Sequence, residues 1–398
     1  MNFVKDIDIA GKRLLMRVDF NVPLKGSEIT DDNRIRASIP TFEYLLDQDA
    51  AIIVCAHLGK PKGKIVPELT LEPVAKRLGE LLGKEVRLAP DCTGEETAKM
   101  AAELKGGEIL MLQNLRFNPE ETGKTEADRG DFGKKLAALA PIYVNDAFGV
   151  AHRENASVVD VPKHAETTCM GLLLKKEWDY LGGALAAPKK PFAAISGGAK
   201  VSTKLGVITN LLGKVDHLII GGAMANTFML ALGNTVGNSL TEPDLVDTAK
   251  SIIKDAESKG TKLHLPVDFT AGTDISAQEP MGVYDATDVP DDAVLLDIGP
   301  KTIENFNAVL REAGTAVWNG PMGMFETPAF SEGSFSLCRT LAARTDCLTI
   351  VGGGDTDAIL HTMHLEDKFS FVSTGGGSFL EFLEGKELPA FKALKESV

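Results

Sequence analysis

A chain of 398 residues exceeds the roughly 250 to 300 over which one hydrophobic core keeps growing, so its length implies two domains. A formal net charge of −14 weighs against nonspecific binding to nucleic acid or anionic membranes, both of which are held through clustered Lys and Arg. The apolar fraction of 44% is that of a globular protein, residues Met1 to Asp6 form no charged-then-apolar signal segment, and the longer apolar runs are broken by Gly, Lys or Asp, so neither export nor membrane insertion is expected.

Apolar runs of strand length alternate with helix-period segments throughout, the pattern of parallel βα units, so the fold class is α/β with doubly wound, Rossmann-like parallel sheets. In the first half the predicted strands are Arg13–Val18, Ala51–Cys55, Glu85–Leu88, Ile109–Leu112 and Ile142–Val144, with helices over Leu71–Leu82 and Asp128–Ala140. Leu172–Ala187 reads as one helix running into Pro188, Lys189, Lys190 and Pro191, and the domain junction is expected there. The second half repeats one device four times: an apolar strand enters two or three glycines, and a helix is expected at once. The strands are Phe192–Ile195, Leu218–Ile220, Leu348–Val351 and Phe369–Val372, followed by Gly197–Gly198, Gly221–Gly222, Gly352–Gly354 and Gly375–Gly377. All four turns are expected on the carboxyl edge of one sheet, where helix N-termini leave N–H groups for a phosphate and glycine lets it approach the backbone. Tight βα turns also use glycine for steric reasons alone, and the repetition is what favours a ligand. No turn has the P-loop pattern or the G-x-G-x-x-G dinucleotide fingerprint. Five cysteines, Cys55, Cys92, Cys169, Cys338 and Cys347, are odd in number and too scattered for a zinc site or redox motif, and read as reduced, buried thiols of a cytoplasmic protein.

Residues able to carry chemistry cluster at these strand ends. In Arg17-Val18-Asp19-Phe20-Asn21-Val22-Pro23, Asp19 and Asn21 stand two apart and leave the same face, suiting a hydroxyl-bearing ligand or, equally, a local turn. In Asp31-Asp32-Asn33-Arg34-Ile35-Arg36 an Asp or Asn caps a helix beginning near Arg34, a cation set against the helix dipole either for a purpose or as a solvated side chain. His57 and Lys60 lie in Ala56-His57-Leu58-Gly59-Lys60-Pro61, Arg116 follows Ile109–Leu112, and Arg153 follows Ile142–Val144. Singly each suits surface solvation; together Arg34, His57, Lys60, Arg116 and Arg153 predict a basic patch for a small, multiply charged anion. Lys200 and Lys204 are expected at i and i+4 on the first turns of a helix, where an anion between them would relieve their repulsion. Asp355, in Gly352-Gly353-Gly354-Asp355-Thr356, is either an N-cap or a ligand for Mg2+ on nucleotide phosphates. Glu326 ends the Gly/Pro-rich stretch Trp318-Asn319-Gly320-Pro321-Met322-Gly323-Met324-Phe325-Glu326 and offers an acceptor for sugar hydroxyls, although that loop alone is indistinguishable from a turn.

In order, RVDFNVP, the helix start at Arg34, HLGKP, NLRF, AHR, GGAKVSTK, IIGGAM, DIGP, WNGPMGMFE, GGGDT and STGGGSFLEFLEG resemble the phosphoglycerate kinases over essentially the whole chain. The resemblance implies two domains facing each other across a cleft, residues 1–171 and 188–387, joined by a helix over 172–187, with segment 388–398 returning to the first. It implies that Asp19, Phe20, Asn21, Arg34, His57, Leu58, Gly59, Lys60, Arg116 and Arg153 bind 3-phosphoglycerate or 1,3-bisphosphoglycerate. Lys204, Glu326, Gly353, Gly354, Asp355 and Thr356 would bind ADP or ATP, with Glu326 at the ribose and Asp355 at the magnesium ion. Arg34, Lys200, Gly353 and Gly376 would surround the phosphoryl group, transferred directly and in line after hinge closure in a cytoplasmic monomer. Three positions depart from the family pattern: Lys60 stands where Arg is usual, reducing a bidentate contact to a point charge, Leu295 replaces a glycine two residues before the Asp of DIGP, and Ala223 replaces the third glycine of an IIGGG turn. Two other classes share parts of the pattern. A nicotinamide dehydrogenase would need the G-x-G-x-x-G turn with its ribose-binding acid, and a silent nucleotide-binding scaffold would have no use for Arg34, Lys200 and Asp355 together.

Overall fold

The computed structural model describes residues 1–397, and the chain divides into two compact units: Met1–Asp179 together with the chain from Glu387, and Tyr180–Lys386. The first unit runs β1 (Asn2–Phe3), β2 (Arg13–Arg17), a hairpin of β3 (Leu24–Lys25) and β4 (Glu28–Ile29), α1 (Asn33–Asp47), β5 (Ala51–Cys55), α2 (Glu72–Leu82), β6 (Val86–Leu88) and α3 (Glu95–Ala102). It continues with β7 (Ile109–Met111), α4 (Glu126–Ala137), β8 (Ile142–Asn145), β9 (Thr167–Met170) and the first half of α5 (Leu172–Ala186). Seven of these strands form one parallel sheet in the order β1-β9-β8-β2-β5-β7-β6. Ala51–Cys55 is buried at every position, which is why its sequence is an unbroken apolar run: a parallel strand covered on both faces has no polar side to present. Winding reverses beside β2, with β5 on one side and β8 on the other, so their carboxyl ends flank the switch point where open α/β sheets bind ligands.

Helix boundaries follow local capping chemistry. The helix expected at Asp128 starts at Glu126 because Thr125 closes a capping box: its Oγ1 accepts from the Asp128 N–H at 3.3 Å, and the Asp128 carboxylate accepts from the Thr125 N–H at 3.0 Å. Asp32 occupies the N-cap position of α1 without capping it. Its carboxylate accepts instead from Arg36 at 2.7 Å and Arg77 at 2.8 Å, and Asp31 accepts from the Asn33 N–H at 2.8 Å.

The second unit contains β10 (Phe192–Ser196), α6 (Leu205–Leu211), β11 (His217–Ile220), α7 (Met224–Ala231), α8 (Val246–Ser258), β12 (Lys262–His264), β13 (Asp268–Gly272), β14 (Gly282–Asp285), β15 (Val294–Ile298) and α9 (Pro300–Glu312). β16 (Thr315–Asn319), α10 (Glu332–Ala342), β17 (Leu348–Val351), α11 (Gly354–Met363), β18 (Phe371–Val372) and α12 (Gly376–Leu383) complete it. The order β12-β11-β10-β16-β17-β18 makes a second parallel sheet, and β14-β13-β15 makes a small antiparallel one that the sequence reading did not separate. All four glycine turns follow strands of the parallel sheet, and three lead into a helix within a few residues.

The turn at Gly197–Gly198 is the exception. No helix begins until Leu205, so Lys200 and Lys204 do not stack on a helical face as expected. Glu242 is the cause: its carboxylate accepts from both the N–H and the hydroxyl of Ser202, at 3.0 and 2.5 Å, and holds residues 199–204 as an irregular loop. Phe369–Val372 is likewise shorter than expected, since Ser370 donates its N–H to the Thr349 hydroxyl at 2.9 Å rather than to a neighbouring strand's carbonyl.

The last helix, α13 (Pro389–Glu396), belongs to the first unit, where Phe391 packs against Trp178 at 4.6 Å and the Ala390 N–H donates to Ala151. Residue 398, the end of the expected returning segment, lies outside the described residues. All five cysteines are free and buried. Among the described residues no helix is long and apolar enough to cross a membrane.

Candidate functional site

In the first unit the carboxyl ends of β2, β5, β7 and β8 deliver Asp19, His57, Arg116 and Arg153, and the start of α1 adds Arg34. Asp19 is held from several sides: its Oδ2 accepts from Arg34 at 2.8 Å, its Oδ1 from the Asn21 N–H at 3.3 Å, and His57 Nδ1 lies 4.0 Å away. Asn21 Oδ1 accepts from the Gly59 N–H at 2.8 Å. The local-turn reading of these two residues therefore holds, and both lie beyond the strand rather than on it. Arg116 is 8% exposed, donates to the Gly59 carbonyl at 2.7 Å, and keeps its Nε buried with no protein partner. A buried guanidinium nitrogen left without an acceptor calls for an anion. Arg153 is exposed and donates through Nε to His152 at 3.3 Å, and Lys60 is also exposed.

His57 corrects the simple picture of a basic patch. Burial first, then Arg17, Arg116, Arg34 and Arg153, hold its imidazole well below the ordinary histidine range, so the ring is neutral and the positive charge belongs to the arginines and Lys60. His152 is pushed down to about 4 by burial and then Arg153. Phe20 and Leu58 are buried core residues, Phe20 stacking on Phe42 at 6.3 Å, so only their backbone is available to a ligand. Sequence reasoning missed Arg17, Ser157 and Glu121, all fully buried behind His57. The available signal was a charged residue, Arg17, ending a buried run of three apolar residues, Leu14 to Met16.

In the second unit a cavity of about 640 Å3 is lined by Gly198, Gly222, Ala223, Leu295, Glu326 and Asp355, among others. Ala223 and Leu295, two of the three departures from the family pattern, both line it. Leu240 and Ile275, 46% and 67% exposed, add apolar surface to that wall. The glycines around it divide into two kinds. A Cβ on Gly197 would lie 2.1 Å from the Pro321 carbonyl oxygen, and one on Gly352 would lie 2.5 Å from the Phe379 ring, so these are glycines for packing. Gly354 has nothing within 4 Å, and a Cβ on Gly376 would meet only Gly353 and Gly354, at 3.8 and 3.9 Å. Gly353 and Gly376 are thus neighbours at two helix starts, with open space in front of Gly354 and Gly376, whereas a Cβ on Gly353 would lie 2.5 Å from the Asn319 side chain.

Lys204 is half-buried beside this edge. Burial pushes its ammonium down to about 8 against the pull of Asp355, and its Nζ donates to Asn319 Oδ1. Asn319 also donates to the Gly352 carbonyl at 2.5 Å, bracing the lysine against a glycine turn, a role not read from the sequence. Thr356 is buried, its Oγ1 accepting from the Gly320 N–H at 2.7 Å, so its hydroxyl serves the fold. Asp355 and Glu326 are exposed, as is Lys200 on its irregular loop. Among the described residues no group of three or more His, Cys, Asp or Glu is placed to hold a metal ion.

A family model described as phosphoglycerate kinase matches residues 4–386. The phosphoglycerate kinase of Maridesulfovibrio salexigens is 64% identical over 397 residues, covering 100% of both chains, and that of Dictyoglomus turgidum is 49% identical over 99% of this chain and 98% of its own. Among solved structures, phosphoglycerate kinase from Coxiella burnetii superposes with a TM-score of 0.90 at 40% identity, covering 99% of this chain and 98% of that one. The enzyme from Pyrococcus horikoshii OT3 gives 0.85 at 32% identity, covering 100% and 99%.

Proposed function

Because the chain belongs to the phosphoglycerate kinase family, we propose that it divides its reaction between two half-sites, phosphoglycerate on the first unit and nucleotide on the second. The reaction is reversible transfer of the acyl phosphate of 1,3-bisphosphoglycerate to ADP, giving 3-phosphoglycerate and ATP, a step of glycolysis and gluconeogenesis. The observation that carries the division is the chemical contrast: arginines crowd one sheet edge, with Arg116 Nε still lacking an acceptor, whereas the other edge offers glycine turns and a largely apolar cavity whose charged lining, Glu326 and Asp355 included, is acidic, with Lys204 beside it.

On this reading Arg116, Arg153 and Lys60 hold the charges of the phosphoglycerate, and Asp19 and Asn21 face its hydroxyl group. Lys204 and the backbone of Gly353 to Thr356 bind the nucleotide phosphates, and Glu326 accepts from the ribose. Phosphoryl transfer asks for alignment and charge neutralisation more than for proton chemistry. Arg34 and Lys200 therefore act on the group in flight, assisted by the N–H groups around Gly353 and Gly376. Magnesium bound on the nucleotide phosphates would neutralise their charge, and Asp355 would hold it, since a lone carboxylate suits a cation whose other ligands are phosphate oxygens and water. Transfer requires a hinge motion that aligns the two bound substrates and excludes water that would hydrolyse the acyl phosphate. Charge and composition support a cytoplasmic monomer with no nucleic-acid or membrane partner.

A coupled assay with 3-phosphoglycerate and Mg-ATP tests the activity, and Arg153→Ala tests the division. Loss of a charge-assisted contact is expected to raise KM for 3-phosphoglycerate by roughly tenfold or more while KM for nucleotide stays within about twofold. A variant in which nucleotide affinity alone fell would reverse the assignment.

Lys204 gives the second check. Its ammonium is depressed toward 8 in the free protein, so the cation is present below that pH and lost above it. Since kcat/KM reports groups of the free enzyme, kcat/KM for ADP is expected to fall as pH rises through about 8, and Lys204→Arg, which keeps its charge, should flatten that limb. An unchanged alkaline limb in Lys204→Arg would remove Lys204 from phosphate binding.

A further inference from the structure

Arg17, the last residue of β2, is fully buried, where every donor it carries has to be met by the protein. Its Nε donates to Ser157 Oγ at 2.8 Å, and one terminal nitrogen donates to the Val18 carbonyl. The other terminal nitrogen lies 3.3 Å from His57 Nδ1 and 4.0 Å from Glu121 Oε1. Ser157 donates its hydroxyl to Glu121 Oε1 at 2.7 Å and its backbone N–H to Oε2 at 3.0 Å, and its carbonyl accepts from the Tyr143 hydroxyl at 2.7 Å. Burial raises the Glu121 carboxyl while Arg17 and both Ser157 bonds pull it back, and with both oxygens accepting the carboxylate form fits.

The polarity of this chain of bonds is fixed. A guanidinium can only donate, so Ser157 Oγ, already accepting from Arg17, has its one proton free for Glu121. By the same rule His57 Nδ1, facing Arg17, is the bare, accepting nitrogen. The competing partner, Asp19 Oδ1, stands 4.0 Å from Nδ1, beyond hydrogen-bond reach.

We infer that Glu121, Ser157 and Arg17 form a buried positioning relay that locks His57 in the neutral tautomer with its proton on Nε2, so that the ring meets phosphoglycerate as a directed hydrogen-bond donor and not as a cation. This rests on the reading of His57 as a phosphoglycerate ligand. The surrounding charges act in the same sense: burial, Arg17, Arg116, Arg34 and Arg153 all oppose a proton on Nδ1, Asp19 is the one carboxylate at the ring's edge, and Glu121 stands behind Arg17. A neutral donor adds a bond of fixed direction among four guanidinium groups without adding a further positive charge. It also leaves ligand binding insensitive to pH where a free histidine titrates.

Nitrogen-15 spectra of the full chain labelled at histidine read the tautomer directly, with the His57 signals assigned by their loss in His57→Ala. The expected result is a proton on Nε2, a bare Nδ1 and no titration between about pH 5.5 and 8, with the Nε2 signal moving when 3-phosphoglycerate is added. A proton on Nδ1, or a cation forming near the ordinary histidine range, overturns the lock. A correct tautomer whose Nε2 ignores 3-phosphoglycerate overturns instead the reading of His57 as a ligand. Ser157→Ala and Arg17→Lys are expected to let the proton redistribute toward Nδ1 and to raise KM for 3-phosphoglycerate by roughly tenfold, with KM for nucleotide within about twofold. Unchanged spectra and KM in folded variants would exclude the relay, and should neither variant fold, the spectrum of the unaltered chain still decides the tautomer.

Discussion

Replacing Arg34 with alanine is expected to lower kcat by about a thousandfold or more while leaving the fold intact, because a cation on the transferring phosphoryl group is worth that much and little of the protein's stability depends on it. The side chain is 38% exposed and pairs with Asp19 at 2.8 Å. A partly solvated pair of this kind contributes at most about 1 kcal/mol, and a cation in the first turn of α1 opposes the helix dipole by a few tenths, so the second effect offsets part of the first. The melting temperature should therefore move by no more than about 4 °C for a unit of this size. The pair with Asp19 holds the guanidinium beyond the end of β2, and on the proposed role the carboxylate would give it up to the phosphoryl group. Arg34→Lys retains the charge without the fork and should recover only part of the rate. Steady-state kinetics in both directions alongside thermal unfolding make the check, and near-normal turnover in a folded Arg34→Ala would remove this residue from the transition state.

How much of this was legible in the sequence depended on how local each cause was. The strands Ala51–Cys55 and Leu348–Val351 could be read because burial on both faces of a parallel sheet leaves only apolar choices. The glycine turns could be read for the same kind of reason: the conformation or close approach that demands glycine is fixed within a few residues. The loop bearing Lys200 could not, because what keeps it from becoming a helix is Glu242, 40 residues beyond Ser202. The roles of Arg17 and Glu121 were hidden too. In sequence a charged residue reads as solvated, and only the fold, by bringing positions 17, 121 and 157 together, turns it into a buried network. Asn319 was visible within its loop but not its task, since its partners Lys204 and Gly352 come from two other strand ends. The three-stranded antiparallel sheet escaped because β14 spans only Gly282–Asp285 and the β13–β15 pairing carries a register shift at Thr270 and Ala271.

Lys200→Ala should produce the second large loss, and its character should differ from that of Lys204. Lys204 is half-buried and braced by Asn319, the setting of a ligand that binds the ground state, whereas Lys200 is exposed on the loop clasped by Glu242. A solvated ammonium gains little from a phosphate in water but about 4 kcal/mol at 4 Å when the effective dielectric falls to about 20, as it does once bound substrates displace solvent. That gain appears at the reacting group, so kcat is expected to fall by about a hundredfold to a thousandfold with both KM values within about threefold. The loop makes a second, independent outcome available. Glu242→Gln weakens the clasp on Ser202 and removes a carboxylate charge near Lys200 while keeping both lysines, and should lower kcat by about tenfold in the same pattern, because a charge on a loosened loop is misplaced rather than lost. If instead the whole deficit of Lys200→Ala appears as a raised KM for ADP, Lys200 acts like Lys204 as a ground-state phosphate ligand, and stabilisation of the group in flight falls to Arg34 and the N–H groups at Gly353 and Gly376.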